Sequence, residues 1–142
     1  MTIPDSTVSE YLGRPQPRHR HAAMVVDTSL YIYGGLGKDG GGSDVVLSDL
    51  WRLNLVTLRW KKFTVSGGPG ARYGHIMGAD SLRAPVDPSD PHRPILLVYG
   101  GRSSSSSFAD GDVWVLTLDA RQEELPLSWR QVSPGGSTPG QR

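Results

Sequence analysis

The histidines are the side chains of this sequence with the widest chemical use, because imidazole binds metals and exchanges protons near neutral pH. His19 and His21 stand two positions apart, so on a β-strand both rings would point to one face and could share a metal ion. A third and a fourth ligand are not evident beside them, and the chain has no cysteine. His21 also occupies the same place as His75 in a repeated pattern, which favours hydrogen bonding within the fold over metal binding.

A glycine pattern that could bind a nucleotide follows an apolar run. The residues from Gly35 to Gly40 spell G-x-G-x-x-G, which in dinucleotide-binding folds lies between a strand and a helix. Here Gly41-Gly42-Ser43-Asp44 leads into another strand, so the helix that would hold the phosphates is missing. The sequence therefore predicts no cofactor.

Serine and aspartate clusters elsewhere do not complete a catalytic set. The run from Ser103 to Ser107 has no Gly-x-Ser-x-Gly nucleophile elbow near it. The run from Asp110 to Asp112 lacks the oxygen-ligand spacing of a calcium loop. The sequence therefore predicts a chain that is not an enzyme and holds no metal.

The composition predicts short strands and many turns. With 18 glycines and 11 prolines among 142 residues, long uninterrupted helices are disfavoured. A formal net charge of +1 supplies no basic field that would attract nucleic acid. No apolar run approaches the roughly 20 residues of a membrane-spanning helix, and the first residues do not resemble a signal peptide. We therefore expect no nucleic-acid or membrane partner and a cytoplasmic protein, with the nucleus as an alternative.

Four short patterns occur twice in the same order, which indicates an internal repeat. The first copy comprises Arg18 to Ala22, Leu30 to Gly35, Asp49 to Leu55 and Arg59 to Lys62; the second comprises Arg72 to Ile76, Leu96 to Gly101, Asp112 to Leu118 and Ser128 to Gln131. The second copy is longer, and its insertions are placed on surface loops at Arg83 to Pro94 and Arg121 to Leu125.

Each copy is interpreted as four strands. The first follows the Arg and His residues, and the second is an apolar run, Leu30 to Tyr33 or Ile95 to Tyr99. The third alternates, with Trp51, Leu53 and Leu55 pointing one way. The fourth contains a tryptophan and ends in a Gly- and Pro-rich turn.

These units resemble the Kelch repeat, a β-propeller blade. The residues that carry the resemblance are Pro17 to His21, the double glycines, Asp49-Leu50-Trp51 and Trp60. The resemblance implies an all-β fold of four-stranded antiparallel blades, with two blades and the start of a third in an incomplete propeller. Residues 1–16 are predicted as a flexible tail, 17–71 as the first repeat, and 72–142 as the second repeat followed by the start of a third at Pro139 to Arg142.

Twelve repeat residues are predicted to be structural. The glycines suit positions of positive φ or close backbone approach, and the tryptophans suit the faces where blades stack. The set is Arg18, His21, Gly34, Gly35, Trp51, Trp60, Arg72, His75, Gly100, Gly101, Trp114 and Trp129.

The loops at one end of the blades are the remaining candidates for function. In four antiparallel strands, the connections from strand two to three and from strand four to the next blade share one end, and Kelch relatives often bind partners there. The predicted loops are Leu36 to Ser48, Arg102 to Gly111, Ser66 to Ala71 and Ser133 to Gly140. The candidate contacts with a protein partner are Lys38, Asp39, Asp44, Arg102, Ser104, Ser106, Phe108 and Asp110.

Three functions stay open. The leading hypothesis is a non-catalytic Kelch module, a scaffold or adaptor whose missing blades belong to a longer chain. A second is the front part of a larger enzyme, because Gly68 to Met77 is similar to repeats in Kelch-containing Ser/Thr phosphatases. A third is a truncated, nonfunctional product whose blade faces and strand edges would be exposed and prone to association.

Overall fold

The computed structural model describes residues 13–82, 93–118, 127–133 and 135. This part of the chain consists of β-strands joined by turns and loops. The strands are β1 (Ala22–Val26), β2 (Ser29–Lys38), β3 (Asp44–Asn54), β4 (Arg59–Phe63), β5 (Val65–Ser66), β6 (Ile76–Leu82), β7 (Arg93–Tyr99), β8 (Val113–Thr117) and β9 (Leu127–Val132). Nowhere in the described ranges is there a helix that could cross a membrane.

The two copies of the repeat form two antiparallel sheets, as predicted. The first has the strand order β1-β2-β3-β4, and the second has the corresponding order β6-β7-β8-β9. The short strand β5, which follows the first copy, pairs in parallel with β9 and makes the second sheet five-stranded. After β4, the last strand of the first sheet, the chain therefore runs beside β9, the last strand of the second sheet, before it enters β6.

The first sheet's central hairpin is longer than predicted. Residues 36–38 and 44–48 were expected in a loop, but the pairing of β2 with β3 resumes after a bulge between Tyr33 and Gly35 and continues to Lys38 and Asp44. The turn is stabilised by the Asp39 carboxylate, which accepts hydrogen bonds from the backbone N–H groups of Gly41 and Ser43, both at 2.9 Å. This capping allows a tight turn at the end of a long ladder.

The third strand of the first copy ends earlier than predicted. Leu55 was expected to point to the same side as Trp51, but β3 stops at Asn54 and Leu55 is exposed. The Asn54 side chain accepts hydrogen bonds from the backbone N–H groups of Val56 and Thr57, at 2.9 and 3.0 Å. Asparagine favours turns through this kind of local bond, and here the bond ends the strand.

The core lies between the two sheets, where β1 packs beside β6. A single cluster of buried side chains includes Leu50 from the first sheet and Leu96, Leu116 and Trp129 from the second. The Tyr33 ring of the first sheet makes an edge contact with Trp129, with ring centroids 5.5 Å apart. The tryptophan of the second copy therefore packs where the sheets stack, as expected of blades.

Some predictions fall on residues outside the described ranges. They are the tail up to residue 12, residues 83–92 of the first insertion, the insertion at Arg121 to Leu125, most of the predicted loop Ser133 to Gly140, and the start of a third repeat at Pro139 to Arg142. The described end of the first insertion differs from the prediction, because Arg93 and Pro94 belong to β7 instead of a loop.

Candidate functional site

The candidate site is one end of the two sheets, which we call the loop end. Antiparallel pairing of Ala22 with Tyr33 brings the start of β1 beside the end of β2, and the pairing of Ile76 with Tyr99 does the same in the second sheet. The loop end therefore consists of residues 18–21, 38–44, 67–75 and 100–112. The opposite end carries the turn of residues 55–58 between β3 and β4.

A buried ion pair supports the loop end of the first blade. Arg18 donates from its two terminal nitrogens to the two carboxylate oxygens of Asp49, at 2.6 and 2.9 Å. It also donates to the carbonyls of Gln16 and Gly34. The indole N–H of Trp51 donates to Asp49 at 2.7 Å. Burial alone would raise the pKa of Asp49, but the bonds from Arg18 and Trp51 outweigh it and hold this pKa below its usual range.

The second blade repeats this arrangement with a different aspartate. Arg72 is buried and donates to the carboxylate of Asp110 at 3.2 Å and to the carbonyl of Gly100 at 3.0 Å. The indole N–H of Trp114 donates to Asp110 at 3.1 Å. The sequence alignment had matched Asp112 to Asp49, but Asp112 instead accepts a bond from Gln131. Asp110, predicted as a partner contact, therefore also has a structural role.

The two repeat histidines differ in burial. His75 lies against the first blade, is only 6% exposed, and makes an edge contact with Tyr33 at 5.6 Å between ring centroids. His21, its counterpart, is exposed. Hydrogen bonding was predicted for both; in the described part of the chain the Tyr33 backbone favours the protonated ring of His75, but no well-aligned hydrogen bond forms at either ring nitrogen. Burial and the charge of Arg72 lower the pKa of His75 to about 4.

The double glycines have backbone conformations or close contacts that disfavour a side chain. Gly34 and Gly35 have φ values of 64° and 103°. A Cβ on Gly34 would lie 2.6 Å from the carbonyl oxygen of Arg72, and Gly35 donates its N–H to that same carbonyl at 2.8 Å. In the second blade, a Cβ on Gly101 would lie 2.7 Å from the carbonyl oxygen of Tyr73. Gly100, like the other three, has a positive φ.

The four tryptophans are all at least half-buried, which agrees with a packing role. Trp51 and Trp129 are buried, whereas Trp60 and Trp114 are half-buried. Trp60 corresponds to Trp129 in the repeat, but Trp129 is additionally covered by the first blade through Tyr33. The other pair shows the opposite order, because Trp51 of the first blade is buried and its counterpart Trp114 is half-buried.

The predicted partner contacts of the first blade form a small charged turn. Lys38 and Asp44 make an ion pair at 2.5 Å, with side chains 65% and 67% exposed. The bond and the charge of Lys38 lower the pKa of Asp44. Asp39 is exposed but its carboxylate caps the turn. The structure brings these three residues together, and the Asp39 carboxylate remains without a cation contact among the described residues.

The predicted contacts of the second blade lie on one loop that is fastened from within. Arg102 donates to the carbonyls of Ser104 and Ser105, and its guanidinium carbon lies 4.6 Å from the centroid of the Phe108 ring. The hydroxyls of Ser104 and Ser106 are 3.3 Å apart. Phe108 is 44% exposed and is the aromatic member of the exposed large apolar side chains in the described ranges.

Two residues at the loop end were not among the predicted contacts. Tyr73 exchanges two backbone hydrogen bonds with Arg102, at 3.0 and 2.9 Å, and its hydroxyl donates to the carbonyl of Ser104 at 3.1 Å. The guanidinium carbon of Arg20 lies 6.0 Å from the centroid of the Tyr73 ring. One feature of the sequence indicates that Arg20 is unusual, namely that the second copy has Gly74 at the equivalent position.

The described residues of the loop end are better suited to binding a partner than to catalysis. Within the described ranges, no three His, Asp or Glu side chains come together in a group that could hold a metal ion. His19 pairs through its backbone with Leu36, in a short bridge beside the first blade. The G-x-G-x-x-G segment lies in β2 and the turn that follows it.

Comparisons with known proteins agree with the fold. The chain is 34% identical over 128 residues to the serine/threonine-protein phosphatase BSL2 of Arabidopsis thaliana, and 31% identical over 127 residues to Adagio-like protein 3 of Oryza sativa subsp. japonica. It is 30% identical over 115 residues to the dynein alpha chain of the flagellar outer arm of Chlamydomonas reinhardtii. These matches cover 88%, 87% and 78% of this chain, but only 10%, 17% and 2% of the relatives.

A solved structure, that of YjhT, has a similar fold with a TM-score of 0.54 and 19% sequence identity, over 87% of this chain and 39% of that one. The fold and the site together define a class, namely four-stranded antiparallel blades of a β-propeller type. Residues 17–67 match the family described as Kelch motif. Residues 17–67 therefore contain a Kelch motif, and the two described sheets agree with Kelch-type blades.

Proposed function

We propose that this chain is a protein-binding Kelch module, a scaffold or adaptor, whose loop end contacts the partner. Kelch repeats typically mediate protein interaction. The observation that carries the proposal is the exposed ring of Phe108 beside Arg102, on a loop fastened to a buried scaffold. Recognition residues commonly lie on loops that a rigid framework positions, and aromatic and arginine side chains are enriched in interfaces.

Two features support a preformed binding surface. The Arg72–Asp110 ion pair holds the base of the loop, and the bond from Tyr73 to Ser104 holds its middle. A loop ordered before binding loses less conformational entropy when a partner arrives.

The absence of cysteine from the chain fits a partner in the cytoplasm or nucleus, where thiols stay reduced.

Site-specific photocrosslinking tests the proposal. The photoreactive amino acid p-benzoylphenylalanine replaces the exposed Ser106 at the loop end in one sample, and the exposed Thr57 at the opposite end in a matched control. Both proteins are irradiated in an extract of the source cells, and the adducts are identified by mass spectrometry. We expect one protein to be captured reproducibly from the position of Ser106 and not from that of Thr57.

The double variant Arg102→Ala, Phe108→Ala should abolish this capture, whereas Val56→Ala, which changes an exposed apolar residue at the opposite end, should leave it intact. Equal capture from the two ends, or capture that survives the loss of Arg102 and Phe108, would show that the loop end is not the binding surface.

A second candidate is a propeller segment of a larger enzyme, and the similarity to the BSL2 phosphatase over 88% of this chain favours it. This chain spans 10% of that phosphatase, so any catalytic residues would lie elsewhere. Sequencing the transcript beyond the codon of Arg142 tests this candidate. A downstream phosphatase domain with its metal-binding motifs would support it, and a transcript without one would eliminate it.

A further inference from the structure

The basic side chains of the loop end fall into two groups. Arg18, Arg72 and Lys38 each contact a carboxylate of the same blade, at distances between 2.5 and 3.2 Å. Arg20 and Arg102 contact none among the described residues; Arg20 lies over an aromatic ring, and Arg102 bonds to backbone carbonyls. Two guanidinium groups at this end therefore keep an uncompensated positive charge.

The backbone of Arg20 gives a second reason to consider its side chain functional. Its φ is 56°, in the left-handed region that side chains of L-residues disfavour, and Gly74 has a φ of 65° at the same place in the second blade. The carbonyl of Arg20 accepts a hydrogen bond from the N–H of Gly74 at 2.8 Å. A glycine would serve this backbone position better, and strained positions of this kind occur often at functional sites.

Both arginines contact Tyr73. The buried Tyr73 ring contacts the guanidinium of Arg20, and its backbone pairs with that of Arg102. The exposed ring of Phe108 lies against the guanidinium of Arg102. The surface formed by Arg20, Tyr73, Arg102 and Phe108 thus offers two charged groups and an apolar patch at its edge.

We infer that this surface binds an acidic segment of a protein partner, in which carboxylates contact Arg20 and Arg102 and an apolar side chain packs on Phe108. The inference rests on the proposed function and names the chemistry of its partner. Guanidinium groups bind carboxylates through paired hydrogen bonds. An extended nucleic-acid backbone is less suited, because the chain has a net charge of only +1 and the neighbouring basic side chains are already paired.

A peptide-binding measurement tests this inference. The probe is a short fluorescein-labelled peptide of Asp, Glu and Leu, compared by fluorescence anisotropy with the same peptide carrying Asn and Gln, and with a labelled single-stranded oligonucleotide. We expect only the acidic peptide to bind, and to bind more weakly as salt rises because exposed charges are screened. Arg20→Gly and Arg102→Gln should each weaken binding about three- to tenfold.

The controls separate binding from folding. Arg20→Gly places a glycine where the second blade has Gly74, so this variant should fold normally, and thermal unfolding checks this. Arg59→Gln removes an exposed arginine at the opposite end and should leave binding unchanged. The inference is overturned if the neutral peptide binds as well, if the oligonucleotide binds better, or if Arg20→Gly has no effect.

The acidic peptide is also added to the photocrosslinking reaction at position 106. Loss of the captured partner supports the inference. If the partner is captured there and the acidic peptide does not compete, the inference is wrong while the proposed function stands. If nothing is captured at that position, the proposed function itself fails.

Discussion

Replacing Asp49 with alanine should lower the free energy of unfolding by about 3 kcal/mol. The carboxylate accepts three hydrogen bonds, two from Arg18 at 2.6 and 2.9 Å and one from the Trp51 indole at 2.7 Å. The Arg18 side chain is 3% exposed, so the variant leaves a buried guanidinium without its counter-charge. Breaking such a pair costs about 3 to 5 kcal/mol, and the partial exposure of Asp49 places the loss near the lower value.

Urea unfolding followed by tryptophan fluorescence measures this loss, because the four tryptophans report on both blades. The matched control is Asp44→Ala, which removes an aspartate of an exposed ion pair and should leave the unfolding midpoint unchanged. The double variant Arg18→Met, Asp49→Leu should be more stable than Asp49→Ala, because no unpaired charge remains buried. A loss below about 1 kcal/mol for Asp49→Ala would refute the assigned role of the ion pair.

The pH dependence gives an independent check of the same pair. The pKa of Asp49 is lowered in the folded state, so its stabilising contribution is present above the pKa of the unfolded chain, about 3.9. The contribution is lost as the pH falls below that value, because the carboxyl is protonated first in the unfolded chain. Asp49→Asn should therefore flatten the acid end of the stability curve, and a slope unchanged from wild type would contradict the assignment.

Three further predictions concern the packing between and within the blades. The pKa of His75 falls from 6.5 to about 4 on folding, so stability should decrease by up to about 3 kcal/mol as the pH falls from 6.5 towards 4; His75→Phe should remove this slope in urea titrations, and a persistent slope would point to another group. Gly101→Ala should destabilise far more than Gly111→Ala, because the added Cβ meets a carbonyl oxygen at 2.7 Å in the first case and nothing within 4 Å in the second; equal melting temperatures would refute this. Trp129→Ala should cost about 3 to 5 kcal/mol and Trp60→Ala less, because only Trp129 is fully buried; equal losses in urea unfolding would contradict the assigned packing.

The repeat residues predicted the blades well because each has a local reason for its position. The double glycines were assigned to positive φ and close approach, and the structure shows both at Gly34, where the Arg72 carbonyl would contact any Cβ. Tryptophans placed on stacking faces are correct for Trp129, whose indole meets Tyr33 of the other sheet. Such preferences can be inferred from residue type and spacing alone.

The aspartate partner in the second blade was predicted wrongly because three-dimensional packing, and not residue type, determines which carboxylate contacts the arginine. Asp49 lies two residues before its tryptophan, but Asp110 lies four before Trp114, so an alignment on the tryptophans selects Asp112 instead. The longer loop before β8 changes which carboxylate reaches the arginine of the blade. Spacing cannot reveal this, because it depends on the path of the loop in three dimensions.

The buried state of His75 could not be predicted for a related reason. His21 and His75 match in the repeat, yet within the described ranges His75 is buried against Tyr33 of the other blade and His21 is exposed. The presence of the second blade also explains why the role of Arg20 could be predicted only in part from the sequence. Its alignment with Gly74 shows a residue unsuited to the backbone, but the placement of its guanidinium over Tyr73 depends on the second blade.

In the second blade, the aspartate of the arginine–aspartate pair lies on the same loop as Arg102 and Phe108 of the candidate binding surface. Asp110 receives hydrogen bonds from Arg72 and Trp114 and lies two residues after Phe108. The Arg72–Asp110 pair, of which only the arginine is buried, therefore fixes one end of the loop whose other end begins at Arg102, and Tyr73 bonds to the loop between them. Each blade repeats the arginine–aspartate pair, so the pair accounts for the fold. Arg102 also fastens its own loop, whereas the positive φ of Arg20 and the exposed ring of Phe108 are the features for which folding gives no reason.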